Sequence, residues 1–178
     1  MPVMPTFKFD QDKAIAAILY IVESINNADM HSVFKTMYFA DRSHLAKYGR
    51  PVIGDQYIAM EDGPVPSIIY DWCKYSREND ESFEGFFHLK NNSFYIDTLQ
   101  KPDLDEFSAS DLECIDEAIE LIKHLTYQQR KDLSHDDAYT KAPINGEMNI
   151  LRIASSGGAD EEMLNYIKEK LDFINTLC

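Results

Sequence analysis

The stretch from Met30 to Tyr75 constrains the fold more than any other part of the chain. A helical pattern, two turns punctuated by glycine and proline, and a second helical pattern follow one another there with little intervening sequence. In the first pattern, Val33, Phe34, Met37, Tyr38, Ala40 and Leu45 form an apolar face too wide for a helix with one neighbour, so a central helix packed on several elements is predicted. Gly49 stops this helix, and Pro51-Val52-Ile53-Gly54 turns the chain into a short strand, Tyr57–Met60. Gly63-Pro64 makes the next turn. Pro66 then suits the first turn of a helix, where its missing amide costs little, and Ile68, Ile69, Trp72 and Cys73 are predicted to face the core. Asp41 falls beside the apolar face of the first helix and needs donors, for which Arg42 and Arg50 are the local candidates.

The flanking sequence supplies further helices. Met1–Lys8 reads as an extended lead-in. A helix from Asp10 carries Ile15, Ile18, Leu19, Ile21, Val22 and Ile25, with Asp10 and Asp12 placed to favour its exposed first-turn amides and Asn26-Asn27 ending it. Phe86–Leu89 and Ser93–Ile96 flank Lys90-Asn91-Asn92 as a small hairpin or two edge strands, which with the Tyr57 segment would give a three-stranded sheet. Ser108 with Asp111, or Ser110 with Glu113, caps a helix continuing through Leu112, Ile115, Ile119, Ile122 and Leu125. Ser134 with Asp137 suggests a short helical turn. Met148–Ala154 is an apolar run of open assignment, and Ser155-Ser156-Gly157-Gly158 reads as a hinge or linker. The last helix, Asp160–Leu177, carries Met163, Leu164, Ile167, Leu171 and Ile174 and either packs on the domain or mediates a homodimer. The predicted class is α+β: a predominantly helical single domain with a small antiparallel β-sheet and a C-terminal helix.

A chain of 178 residues with 44% apolar residues buries one sizeable core. Its formal charge of -14 argues against a broad nucleic-acid surface and against anionic membranes, and favours a basic protein partner. The three cysteines, Cys73, Cys114 and Cys178, form no CxxC pair, so a cytoplasmic location is expected, with the first two as core side chains and the terminal one exposed. No apolar run is long enough for a membrane span.

No cofactor motif, metal spacing or nucleophile emerges, and an enzyme is not expected. His31, His44, His88, His124 and His135 match no ligand spacing. The one enzymatic alternative is a small hydrolase in which Asp41, His44, His135 and Asp137 converge on a pocket, and the other is a mobile-element regulator with a local basic patch. Phe34, Tyr38, Phe39, Trp72, Phe86 and Phe94 are read as core, whereas Tyr48, Tyr57, Tyr70 and Tyr75 lie near turns or helix ends, where they serve either half-buried packing or partner contact.

Lys35-Thr36-Met37-Tyr38-Phe39-Ala40-Asp41, Gly49-Arg50-Pro51-Val52, Tyr57-Ile58-Ala59-Met60, Gly63-Pro64-Val65-Pro66 and Leu133-Ser134-His135-Asp136-Asp137-Ala138-Tyr139, in this order, resemble the Panacea domain family of SocA-like antitoxins, also described as phage-associated proteins. The likeness spans about Ala14 to Ala142. It implies a Panacea-like interaction domain over 8–145, followed by a C-terminal extension with a helix over 146–178. It also implies neutralisation of a cognate toxin encoded nearby through direct protein contact, and one branch of the family serves as an adaptor to the ClpXP protease. The candidate partner-binding residues are Arg42, Tyr48, Arg50, Tyr57, Ser134, His135 and Tyr139. The family often has tryptophan where Tyr139 stands, and leucines where Phe34 and Met37 flank Lys35.

Overall fold

The computed structural model describes residues 6–177. The outer lead-in residues 1–5 and Cys178 lie outside the described residues. Helix α1 (Gln11–Ser24) is capped by Asp10, whose side chain accepts from the Lys13 amide. Helix α2 (Met30–Tyr48) opens with a reciprocal Asp29/Ser32 capping box and ends at Gly49 in the left-handed conformation. As its wide apolar face predicts, α2 is central: it touches α1, α4 (Ala109–Ile122), α5 (Tyr127–Ser134) and α7 (Ile150–Ser156). Cys73 and Cys114 are buried thiols, in keeping with the core assignment.

The sheet differs from expectation. Strand β1 (Tyr57–Met60) does not join the Phe86 region; it pairs antiparallel with β2 (Gly63–Pro66), the chain reversing at Glu61-Asp62 just before the expected Gly63-Pro64 turn. Two prolines in a strand are tolerable because of register. Pro64 and Pro66 stand opposite Ala59 and Tyr57, whose backbone groups point the other way: the Ala59 amide donates to Gly146, its carbonyl accepts from Asn145, and the Tyr57 carbonyl accepts from Met148. The missing proline amides are therefore not needed by the ladder.

After β2, helix α3 (Ser67–Asn79) buries Ile69 and Cys73, but Ile68 is on its exposed side. The cause is the start of the helix, where Asp55 accepts from the Ile68 and Ile69 amides and sets its phase. A separate sheet holds β3 (Ser82–Phe83), β4 (Phe87–His88) and β5 (Asp97–Thr98) in that order, all antiparallel. The segment expected as a strand at Ser93–Ile96 instead bridges through Tyr95 to Asp29, leaving Phe94 exposed, contrary to its core assignment.

Helix α4 uses the Ser108/Asp111 box. Helix α5 was not anticipated, although Thr126 with Gln129 is a capping-box pair. Helix α6 (Asp137–Thr140) is capped by Asp136 rather than through Ser134 and Asp137. The open Met148–Ala154 run contributes to α7, and Ser155–Gly158 is no free linker. Ser156 Oγ accepts from the Ala138 amide, and Gly157 lies so close to the Arg42 carbonyl that a Cβ would collide with it. Helix α8 (Glu161–Leu177) packs on α7 and buries Ile167 and Leu171 in the same apolar cluster as α1 and α2. Among the described residues there are thus eight α-helices and two small antiparallel sheets.

Candidate functional site

The β1–β2 turn is gripped by α2 and by the α5–α6 segment. Lys35, one turn into α2, is buried at 1% exposure, and its Nζ donates to the Pro64 carbonyl at 2.9 Å. That carbonyl is available because Pro64 faces Ala59 across a pair that makes no ladder bonds. Burial lowers the Lys35 pKa to about 7, an effect deepened by Arg130 and Lys131 and partly offset by Asp62. Gly63 packs directly on this lysine and on Ser134. At a φ of 107° it has a backbone conformation that L side chains rarely adopt, and any Cβ would collide with Ser134 Oγ.

The turn itself is held from both sides. Asp62 pairs with Lys131 at 2.8 Å, while His31 Nε2 lies 3.2 Å from the Asp62 carbonyl and therefore carries the proton of that bond. The His31 ring stacks on Tyr127 at 4.0 Å, and the His135 ring stacks on Tyr139 at the same spacing. Tyr139 Oη donates to the Met60 carbonyl at 2.8 Å. Burial and neighbouring cations bring His31 down to about 4 and lower His135, so both rings are neutral near pH 7. Asp136 ties the segment to α2, accepting from Tyr38 Oη at 2.7 Å and from Arg42 at 3.0 Å.

Of the sequence-predicted residues, Ser134, His135 and Tyr139 thus meet at the hairpin, and Arg42 adjoins them through Asp136. Ser134 is fully buried and acts from beneath. Tyr57 is also internal at 3% exposure, its hydroxyl donating to Asp41 at 2.7 Å. Tyr48 and Arg50 stand at the other end of α2. Tyr48 lies 13 residues from Lys35, about 20 Å along the helix axis. There Tyr48 donates to Glu113, and Arg50 binds Asp111, which also pairs with Lys13.

Asp41 finds neither arginine. One oxygen accepts from the Val52 amide at 2.6 Å and from the Ile53 amide, and the other accepts from Tyr57; burial still lifts its pKa to about 7. His44 is engaged separately, Nδ1 with the Arg50 carbonyl and Nε2 with Ser110. His135 lies at the hairpin and Asp137 pairs with Lys141, so the four residues of the hydrolase alternative each have their own partners and converge on no common pocket. A cleft of about 90 Å³ touches Asp41 and is lined by Phe7, Leu45, Met148 and Leu171. It is smaller than the few hundred Å³ of an ordinary cofactor site. No group of three His, Cys, Asp or Glu side chains placed to hold a metal occurs among the described residues.

The family model described as antitoxin SocA-like, Panacea domain, matches residues 33–139. The chain belongs to this family. Comparison with curated proteins and with solved structures gives no match. The matched span of this Panacea domain runs from the first turn of α2 to Tyr139 in α6 and contains Lys35, the hairpin and the Lys131–Tyr139 grip, while His31 and the Asn145–Met148 backbone bonds to β1 lie just outside it. Membership places the chain among non-catalytic antitoxin domains and implies a cognate toxin as its partner. Among the described residues no helix is long and apolar enough to cross a membrane.

Sequence reasoning found the Ser134–Tyr139 segment but missed Lys35, Asp62, Lys131 and Asp136 as the groups that join it to the hairpin. Asp136 carried a signal, since an aspartate three residues before Tyr139 is an N-cap candidate. A lysine on an apolar helix face carries none by itself.

Proposed function

We propose that this chain neutralises its cognate toxin by direct protein contact, with no chemical step of its own, through the face built by the β1–β2 turn, the start of α2 and α5–α6. The observation that carries this reading is the coincidence of the family match with most of the clamp: residues 33–139 contain the hairpin, Lys35 beneath it and the Lys131–Tyr139 grip. Lys35, Gly63 and Ser134 fix the turn from within, while Tyr127, Lys131, His135 and Tyr139 line its outer side. Recognition by a rigid, partly aromatic surface avoids ordering costs on binding. The net charge of -14 favours encounter with a basic toxin. Co-expression with the products of the immediate gene neighbours, pull-down, and a growth assay of each bound product alone and with this chain test the reading. A growth-arresting product silenced on complex formation is expected; binding to no neighbour, and no rescue, would overturn it.

A further inference from the structure

The aromatic surface continues past the hairpin. Tyr95 forms an isolated bridge with Asp29, the Met30 amide donates to the Phe94 carbonyl at 2.8 Å, and the Ile96 amide donates to Ala28 at 3.0 Å. These bonds fasten the Phe94-Tyr95 loop to the start of α2. Both side chains are nevertheless exposed, at 59% and 58%, and the Arg77 guanidinium lies 4.7 Å from the centre of the Phe94 ring. From Asp29 the surface passes to Arg130 by an ion pair at 3.3 Å, and from His31, two residues on, to the stacked and half-exposed Tyr127. Asp62 and Lys131 follow. Phe94 and Tyr95, through their backbone, and Tyr127, through His31, are thus fastened to the start of α2 beside the hairpin.

The strip carries no acidic excess. Asp29 is paired with Arg130 and Asp62 with Lys131, and Arg77 beside Phe94 adds one further positive charge, so the acidic excess of the chain lies outside it. An aromatic centre without acidic excess in an acidic protein is complementary to an apolar patch bordered by lysine and arginine.

We propose that Phe94, Tyr95 and Tyr127 are the principal anchors for the cognate toxin, which covers them with an apolar patch ringed by basic residues. This rests on the antitoxin reading and extends its contact face to a loop outside the hairpin clamp. The three rings supply the desolvated contacts, which act on dissociation, and the acidic surroundings supply attraction, which acts on association. Bridge and amide bonds hold the loop before the partner arrives, so little order has to be gained on binding.

The test uses the full chain and the neighbouring gene product that arrests growth, with association and dissociation rates measured by biolayer interferometry. The double variant Phe94→Ser/Tyr95→Ser is expected to weaken binding by about 30-fold or more, and Tyr127→Ala by about tenfold, mainly through faster dissociation. Phe173→Ser, an exposed aromatic on α8 outside the strip, serves as control and should change affinity less than about twofold. Added salt should slow association and leave dissociation nearly unchanged. Unaltered affinity of the double variant and of Tyr127→Ala, each with wild-type circular dichroism and melting, would place the contact elsewhere and leave the antitoxin reading intact. Failure of the wild-type chain to bind any neighbouring product would overturn both. A dimer of the chain alone that the double variant converts to monomer would assign the strip to self-association and overturn the toxin assignment.

Discussion

Lys35 and Pro64 are joined across the middle of the candidate site: the lysine ammonium, almost wholly buried, spends one donor on the proline carbonyl at 2.9 Å. The bond exists because two prolines alternate with Val65 in β2, leaving their carbonyls outside the β1 ladder. It fixes the hairpin to α2 at the cost of a poorly solvated amine.

Gly63 is the position least able to change without loss of this arrangement. Gly63→Ala is expected to lower stability by about 2–4 kcal/mol, because it adds backbone strain at a φ of 107° and drives a methyl group into Ser134 and Lys35. Urea denaturation checks the figure. A loss below about 0.5 kcal/mol would mean that the turn relaxes easily and is not clamped.

Lys35 and Asp41, two of the deeply buried titratable groups of α2, predict opposite pH dependences. Lys35 has a folded pKa of about 7 against 10.5, so from pH 7 to 10.5 the unfolded chain holds the extra proton and stability contributed by this group rises with pH; the contribution is lost as pH falls through 7. Lys35→Met should therefore be more stable than wild type by about 2–4 kcal/mol at pH 6, with the difference shrinking towards pH 10. Asp41 has a folded pKa of about 7 against 3.8, so the folded chain holds the extra proton between them and its contribution, complete below pH 3.8, is lost as pH rises through 7. Asp41→Asn should gain on wild type across that lower window and stay level above it. Denaturation of the three proteins at pH 4.5, 6, 7.5 and 9 reads both slopes; parallel curves would refute them.

Asp136 joins α6 to α2 by two bonds, from Tyr38 and Arg42, and caps α6 by accepting from the Tyr139 amide. Asp136→Ala is expected to cost about 3 kcal/mol, since it leaves the buried Tyr38 hydroxyl and the half-buried arginine without their acceptor and removes a helix cap. Amide hydrogen exchange should show the loss first in Ala138–Thr140. Protection unchanged there would mean that α6 is held by apolar packing alone.

What was legible in the sequence follows the kind of interaction that shaped it. The wide apolar face of α2, the stop at Gly49 and the Ser108 cap are local patterns, and each is present in the structure. The sheet partners were not legible, because the β2 strand reads as a turn unless one knows that Pro64 and Pro66 fall opposite outward-facing residues of β1. Phe94 was misplaced for a related reason. Its run is apolar, but Tyr95 pairs with Asp29, more than sixty residues away, and that bridge decides which side faces water. At the site, Ser134, His135 and Tyr139 were found through resemblance, whereas Lys35 and Asp62 act only through neighbours that the chain brings together late. Tyr48 and Arg50 looked equivalent to them along the chain and are separated by the length of α2.

The C-terminal residues give the last prediction. Ile167 and Leu171 of α8 and Ile153 and Ala154 of α7 lie in one apolar cluster with Ile18, Val33 and Leu45, so the segment beyond the matched span shares a core with it. If the two unfold as one cooperative unit, Leu171→Ala should lower the free energy of the whole transition by about 2–4 kcal/mol, from lost apolar burial and the space left behind. Calorimetry should show a single transition for wild type and variant alike. A variant that melts α8 early while the remaining helices keep the wild-type midpoint would make the extension a separately folding cap, and the exposed Phe173 and Leu177 would then belong to an element free to leave the domain.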